Sequence, residues 1–167
     1  MRFDFFRRSR RTFLRPRRGF WEIMAAAGQE AGAAGVDSLD LLVATLDIPR
    51  VARLVTGLGA SPQAIQVAAR QARTDRDPRP GLTDDAKAVV EAASHRALIA
   101  RSDPDVQDLL VGLSVADCQA RQVLRAQGID AERLIGRVGS PHLDSPGSVR
   151  PRASDRTCWI AVRGGRQ

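Results

Sequence analysis

The stretch that decides the fold is LTDDAKAVV, residues 82–90, in which a Thr-Asp-Asp start leads into apolar residues. Ala86, Val89 and Val90 follow the 3.6-residue period of a helix, and Ala93 and Ala97 continue the same stripe. Thr is a common residue at the start of a helix because its hydroxyl can accept a backbone N–H. The stretch therefore predicts an amphipathic helix over 84–100, capped by Thr83.

Three more helices are predicted after it, because cap residues and glycines divide the following sequence. Asp103-Pro104 and Asp130 are start signals, and Gly128 is a stop signal. The predicted helices cover 105–113, 117–127 and 131–138.

The sequence before residue 73 contains the same kinds of helix start and stop residues. Gly32 and Gly59 end two helices, Asp37 or Ser38 caps one, and Pro49 and Ser61-Pro62 open the remaining two. The predicted helices of this part cover 20–31, 39–46, 50–58 and 62–72.

A repeat connects the two halves. The pair Leu41-Leu42 recurs as Leu109-Leu110, 68 residues later, at corresponding places in the helix pattern. Pro78, Pro80 and Gly81 interrupt helix formation between the copies. We expect an all-α fold of two pseudo-symmetric four-helix repeats, 20–72 and 83–138, joined by a linker at 73–82. Because each unit is small, the copies are expected to pack face to face as one eight-helix domain over 20–138.

The quoted stretch, with QDLLVGL at 107–113 and VLRAQGID at 123–130, resembles the second repeat of the Clp amino-terminal domain. Repeats of that family carry F-T-x-x-A-x-x-V-L, then T-E-H-[IL]-L-x-[GA]-L, then A-x-x-[VL]-L-x-x-x-G-[IV]-[DS]. Residues 38–46 and 52–59 resemble an eroded first repeat. The resemblance implies a module without catalytic activity or cofactors, of the kind that caps ClpA/ClpC unfoldases and docks adaptors and client proteins. The expected role is an adaptor, decoy or ligand trap in Clp-type proteolysis.

The resemblance also implies candidate binding residues. Some family members bind phosphoarginine through the Thr and Glu of T-E-H and the Thr of F-T-x-x-A. Here Leu39 and Gln107 stand at the Glu positions, so the carboxylate that would bind a guanidinium is missing. Ser38, Thr83 and Gln107 remain as candidates, and we expect weak or no phosphoarginine binding.

A second implied site is a groove that binds cyclic peptides in actinobacterial relatives, at positions matching Leu82 and Lys87. The usual aromatic residue at the first position is replaced by Leu82. A leucine that simply closes the core is the simpler interpretation of this position.

The basic N-terminal arm, residues 1–19, gives the alternative function. It holds four of the five Phe and eight Arg against a single Asp. A nucleic-acid or anionic-surface binder would use such an arm, and a solvated arm without a partner is the simpler interpretation. The candidate contacts are Arg7, Arg8, Arg10, Arg11, Arg15, Arg17 and Arg18.

Residues 9–15, SRRTFLR, also resemble a twin-arginine export signal. However, 16–18 add charge and Glu22 interrupts the apolar run that such a signal needs. Cleavage after 25–27 would remove part of the first helix. We therefore expect a cytoplasmic protein with an uncleaved arm.

Other function classes are disfavoured by composition. Lys87 is the only lysine and stands in no Walker motif, which argues against a P-loop ATPase. The pair Cys118 and His95 has no third residue to orient it, and two cysteines with two histidines are too few for a structural zinc site. The tail at 139–167 is expected to be flexible, with a short β-like stretch at 157–162 that would bind a partner sheet.

Overall fold

A computed structural model describes residues 16–73 and 78–139 of the 167-residue chain, and within them eight α-helices follow one another. The basic arm before Pro16, the central part of the linker and the predicted tail strand lie outside the described residues. The helices are α1 (Arg18–Ala31), α2 (Ser38–Leu46), α3 (Pro49–Gly57), α4 (Pro62–Gln71), α5 (Asp84–Ile99), α6 (Val106–Val115), α7 (Gln119–Ala126) and α8 (Ala131–Val138).

The helix starts follow the predicted chemistry except at α5 and α6, and in α6 the N-cap is Asp105 rather than Asp103. Asp37 and Asp105 each form a reciprocal capping box with an aspartate three residues later, and Asp130 accepts from the backbone N–H of Arg133. Thr83 occupies the N-cap position of α5 but makes no side-chain cap hydrogen bond. Its hydroxyl instead contacts the Val36 carbonyl and the Asp85 carboxylate.

The two predicted repeats are present as α1–α4 and α5–α8. Leu41 and Leu109 are each the fourth residue of the second helix of their repeat, so the duplicated leucine pair occupies equivalent places. Both are fully buried. The all-α double-repeat fold predicted from the sequence is confirmed.

The core is shared between the repeats and centres on α2 and α6. Every residue of α2 is buried, and seven of the ten residues of α6 are buried with it. The helices α1 and α5 each add one apolar stripe, which includes Phe20 and Ile23 in α1 and Val89 and Ala93 in α5. These residues belong to a single continuous apolar cluster, so the repeats fold as one unit.

A close backbone approach brings α5 against α6. A Cβ added at Gly112 would lie 2.6 Å from the Val89 carbonyl oxygen and 3.2 Å from the Ala93 nitrogen. Only glycine allows this approach, which is why the apolar run of α6 contains a residue of poor helix propensity.

Some helix boundaries differ from the prediction by one or two residues. α1 begins at Arg18 rather than Phe20, α6 continues to Val115, and α7 begins at Gln119 rather than Asp117. Cys118 takes the N-cap place of α7 with an extended backbone, which delays that helix. None of the helices within the described ranges combines the length and apolar character needed to cross a membrane.

Candidate binding surface at the two junctions between the repeats

The repeats exchange backbone hydrogen bonds at two related junctions. In the first, the Val36 N–H donates to the Gly81 carbonyl at 2.8 Å and the Thr83 N–H donates to the Val36 carbonyl at 3.0 Å. In the second, the Arg17 N–H donates to the Pro104 carbonyl at 3.0 Å. Thr83 and Arg17 each directly precede the first helix of a repeat. Each donates its N–H to the other repeat, where the acceptor, Val36 or Pro104, directly precedes the N-cap of the second helix. We call them the Thr83 junction (Val36, Ser38, Gly81–Thr83, Asp85) and the Arg17 junction (Arg17, Gly19, Pro104–Val106).

The Thr83 junction contains a buried polar network. Ser38 is fully buried; its N–H donates to the Asp85 carboxylate at 3.3 Å, and its hydroxyl accepts from the Ala120 N–H at 3.3 Å. The Thr83 hydroxyl lies 3.1 Å from the Val36 carbonyl oxygen and also contacts Asp85. The hydroxyls of Ser38 and Thr83 are thus used within the protein, which explains their presence without a ligand.

Lys87 and Leu82 flank this network. Lys87 lies in the first turn of α5, where its Nζ donates to the Asp84 carboxylate at 2.7 Å. Its side chain is 39% exposed. That hydrogen bond lowers the pKa of Asp84. Leu82 forms an isolated parallel bridge with Val36 and packs partly buried against the core. Of the five predicted ligand residues, Ser38, Leu82 and Thr83 lie at the Thr83 junction, and Lys87 follows in the first turn of α5.

Gln107, the fifth, directly follows the Arg17 junction in α6. It is the second residue of α6, and its N–H donates to the Asp105 carboxylate at 2.8 Å. Beside it α1 and α6 approach closely, since a Cβ added at Gly19 would lie 3.0 Å from Cγ2 of Val106.

Two of the seven arginines predicted as nucleic-acid contacts are described, and both make ion pairs. Arg17 lies 4.0 Å from the Asp105 carboxylate, and Arg18 donates to Glu22 at 2.8 Å. They form the N-cap and first residue of α1 rather than part of the arm, because the helix starts earlier than predicted. The other five arginines lie outside the described residues.

Trp21 is a surface residue that the sequence reasoning did not select. It is the fourth residue of α1, as Lys87 is of α5, so the repeat relation makes the two equivalent. Trp21 is 40% exposed, and its ring meets the buried Phe20 ring edge-on at 6.4 Å. The sequence does contain features that single out Trp21. Residues 22–137 contain no aromatic side chain, and Trp21 directly follows Phe20, which lies on the core stripe of α1.

The aspartates that directly follow Leu39 and Gln107 have structural roles. Asp40 and Asp108 are the third residues of α2 and α6 and complete the two capping boxes. Each is also ion-paired, Asp40 with Arg73 at 2.6 Å and Asp108 with Arg96. Burial raises the pKa of the Asp108 carboxyl, against the opposing effect of its hydrogen bonds from Asp105 and Arg96.

Cys118 and His95 do not form a reactive pair. His95 is exposed on α5, whereas Cys118 is buried and its thiol contacts the Leu113 carbonyl oxygen at 3.7 Å. Burial raises the pKa of the Cys118 thiol, which disfavours the nucleophilic thiolate. Within the described residues, no group of three or more His, Cys, Asp or Glu side chains is arranged to hold a metal ion.

The architecture defines a class: an all-α domain of two interlocked four-helix repeats. Its fold is that of the Clp amino-terminal domain, according to comparison with solved structures. The N-terminal domain of Hsp104 from Candida albicans matches with a TM-score of 0.62 at 11% identity, over 78% of this chain and 99% of that one. The N-terminal domain of the caseinolytic protease associated chaperone ClpD from Arabidopsis thaliana matches with a TM-score of 0.55 at 17% identity, over 77% and 100%.

A chain from a malarial protein secretion system matches with a TM-score of 0.61 at 16% identity, over 72% of this chain and 90% of that one. No family model matches the sequence, and neither does any curated protein. Because these identities are low, the likeness establishes the fold alone.

Proposed function

We propose that this protein is a non-catalytic protein- or peptide-binding module of Clp-type proteolysis. The observation that carries the proposal is the Clp-N-like double repeat, whose solved counterparts are N-terminal domains of the chaperones Hsp104 and ClpD. The raised pKa of the buried Cys118 thiol also argues against nucleophilic catalysis by this residue. The proposed partners are Clp unfoldase components, their adaptors or client proteins, met in the cytoplasm.

The proposed contact residues are Trp21, which lies beside the Arg17 junction, and Leu82 and Lys87, which lie at or beside the Thr83 junction. An exposed indole gives a large contact area at little cost in side-chain entropy, and such residues are enriched where proteins bind one another. Lys87 adds a cation that a peptide carboxylate would share with Asp84. A linear or cyclic peptide with one apolar and one acidic group would suit Leu82 and Lys87.

The experiment is affinity capture with the full chain, followed by mass spectrometry. We expect the unaltered protein to recover a Clp unfoldase, an adaptor or a client, and Trp21→Ala and Lys87→Glu to recover much less. Val67→Ala is the control, because Val67 is 51% exposed on α4, a helix that contains none of the junction residues. Thermal melts of all variants separate lost binding from lost folding.

The competing function is binding of nucleic acid or an anionic surface by the Arg-rich arm, and it stays a prediction. If the protein recovers no Clp component or client but binds DNA or RNA with an affinity that falls steeply with salt, the alternative is correct. Whether the module activates an unfoldase or competes with it follows from adding the protein to an unfoldase assay. An adaptor raises client degradation, and a decoy lowers it.

A further inference from the structure

Arg50 and Arg53 of α3 and Arg137 of α8 are exposed arginines. Nη2 of Arg137 lies 3.6 Å from the place where a Cβ on Gly57 would be. Arg53 and Arg50 precede Gly57 by four and seven residues, so they share its face of α3. We call these residues, with Gly57, the α3–α8 seam.

The seam is held in place by Arg133, one turn before Arg137 on α8. Its guanidinium donates to the Gly128 carbonyl at 2.6 Å and to the Leu58 carbonyl at 3.1 Å. Leu58 is the C-cap of α3 and Gly128 directly follows the C-cap of α7, so one side chain links the C-terminal ends of both helices to α8. The position of Arg137 relative to α3 is therefore fixed by the fold.

Within the described part of the chain, the seam arginines have no carboxylate partner, unlike six other cations of the domain. Arg17, Arg18, Arg70, Arg73, Lys87 and Arg96 all make ion pairs. Among the described residues no ion pair involves Arg50, Arg53 or Arg137, although the part of the chain between residues 19 and 137 has more acidic than basic residues. Gly57 adds no side chain that would cover the Arg137 guanidinium.

We propose that the α3–α8 seam binds an acidic protein segment. Seven residues of α3 span about 10 Å, which matches three to four residues of an extended peptide. Two or three carboxylates of such a segment can each meet one guanidinium, an arrangement that Arg favours because it binds carboxylates through two parallel hydrogen bonds. Nucleic acid fits less well, because α3 and α8 carry no aromatic side chain on which bases could stack.

The test measures binding of a fluorescein-labelled hexaglutamate peptide to the full chain by anisotropy at 50 mM and 200 mM salt. In the seam variant Arg50, Arg53 and Arg137 are all changed to Gln. In the control variant Arg7, Arg8 and Arg10 of the arm are changed to Gln, so both variants lose the same charge. We expect the seam variant to bind at least about tenfold more weakly and the arm variant to change less than about threefold.

Gly57→Glu is a second variant that supplies a carboxylate beside Arg137 within the chain, and we expect it to weaken binding as well. It keeps every arginine and replaces a poor helix former, so loss of folding would not explain its effect. Equal weakening in the seam and arm variants would overturn the proposal in favour of general charge attraction. Failure of the unaltered chain to bind the peptide at 50 mM salt, or tighter seam-dependent binding of a thymidine 20-mer, would also overturn it.

Discussion

At the scale of single residues, the buried polar side chains of this domain stabilise the fold through contacts inside the protein. Ser38, Asp40 and Asp108 are each less than 4% exposed, and every one has partners inside the protein. A buried polar group costs little free energy only when its hydrogen bonds are made. Substitutions here are therefore expected to change the free energy of unfolding before they change binding.

Loss of the Arg96 side chain is the first prediction. Arg96 pairs with the buried Asp108 carboxylate and donates to the Gly139 carbonyl at 3.0 Å. Arg96→Gln leaves that carboxylate buried without its cation, so we expect the free energy of unfolding to fall by about 3 kcal/mol at pH 7. The loss should shrink at pH 4, because a carboxyl with a raised pKa is protonated at low pH and then carries no charge.

Chemical denaturation at both pH values measures this effect. The control is Arg125→Gln, which removes the same charge from an exposed position on α7 and should change the free energy of unfolding by less than about 0.5 kcal/mol. An equal loss in both variants would contradict the assigned ion pair.

The second prediction concerns Cys118. Because burial raises the pKa of its thiol, we expect the folded protein to react with a thiol reagent at least about tenfold more slowly than the denatured chain at pH 8. A Cys158→Ser background leaves Cys118 as the only thiol. Equal rates in the folded and denatured protein would mean that the thiol is accessible.

At the scale of helices, the contact between α5 and α6 depends on one missing methyl group. Gly112→Ala would force a Cβ to within 2.6 Å of the Val89 carbonyl oxygen, and backbone atoms cannot move aside cheaply. We expect this variant to lose about 2–3 kcal/mol of stability, measured by thermal or chemical unfolding.

Gly136→Ala is the matched control for that third prediction. A Cβ at Gly136 meets nothing within 4 Å, and the residue lies inside α8. The change should stabilise the protein by about 0.5–1 kcal/mol, because alanine is the better helix former. If both alanines were stabilising, α5 and α6 would have to lie further apart than described.

The fourth prediction concerns the ion pair between Glu30 of α1 and Arg73, which follows α4. The Arg73 guanidinium reaches Glu30 at 3.2 Å, and its hydrogen bond is the main cause that lowers the pKa of Glu30, with Arg70 contributing. Stability from a carboxyl with a lowered pKa is present above its unfolded pKa and is lost as the pH falls through its folded pKa. Unfolding at pH 6 and pH 3 should therefore show a smaller pH dependence in Glu30→Gln than in the unaltered chain.

Arg18 and Glu22 allow a control for that comparison. Glu22→Gln removes a carboxyl from a more exposed pair of the same helix, and solvent screens such pairs strongly. It should leave the pH dependence almost unchanged. An identical pH dependence of Glu30→Gln and the unaltered chain would contradict the role of the Arg73 contact.

At the scale of the whole molecule, the first helix belongs to the core of the domain. Phe20, Ile23, Met24 and Ala27 of α1 are all buried, and the Arg17 N–H reaches across to Pro104 of the second repeat. Cleavage after Ala27 would remove three large apolar side chains, each contributing about 1.5–3 kcal/mol. That total is comparable with the stability of a small domain.

The fifth prediction is therefore that the chain keeps its first helix in the cell. Intact-mass measurement of the cellular protein should find no product that begins near Gly28. Such a product in an exported fraction would mean that the twin-arginine-like residues 9–15 act as a signal despite the role of α1 in the core.

The sequence by itself determined the helix pattern, the repeat and the fold class. Cap residues such as Asp37 and Asp130 act on the backbone a few residues away, and the apolar period of α5 is a local property. Local signals of this kind can be read without knowing the rest of the chain. For the same reason, the predicted and observed helices differ only at their ends, as at Arg18 and Gln119.

Only the tertiary structure decided which side chains meet. Ser38, Asp85 and Ala120 lie far apart in sequence. They come into contact because the segment before the first helix of each repeat hydrogen-bonds to the other repeat. The pairing of Asp40 with Arg73 and of Asp108 with Arg96 breaks the repeat, so no internal comparison could find it. Ion pairs and surface patches depend on distances between elements, and these are set by the packing of α2 and α6 in the shared core.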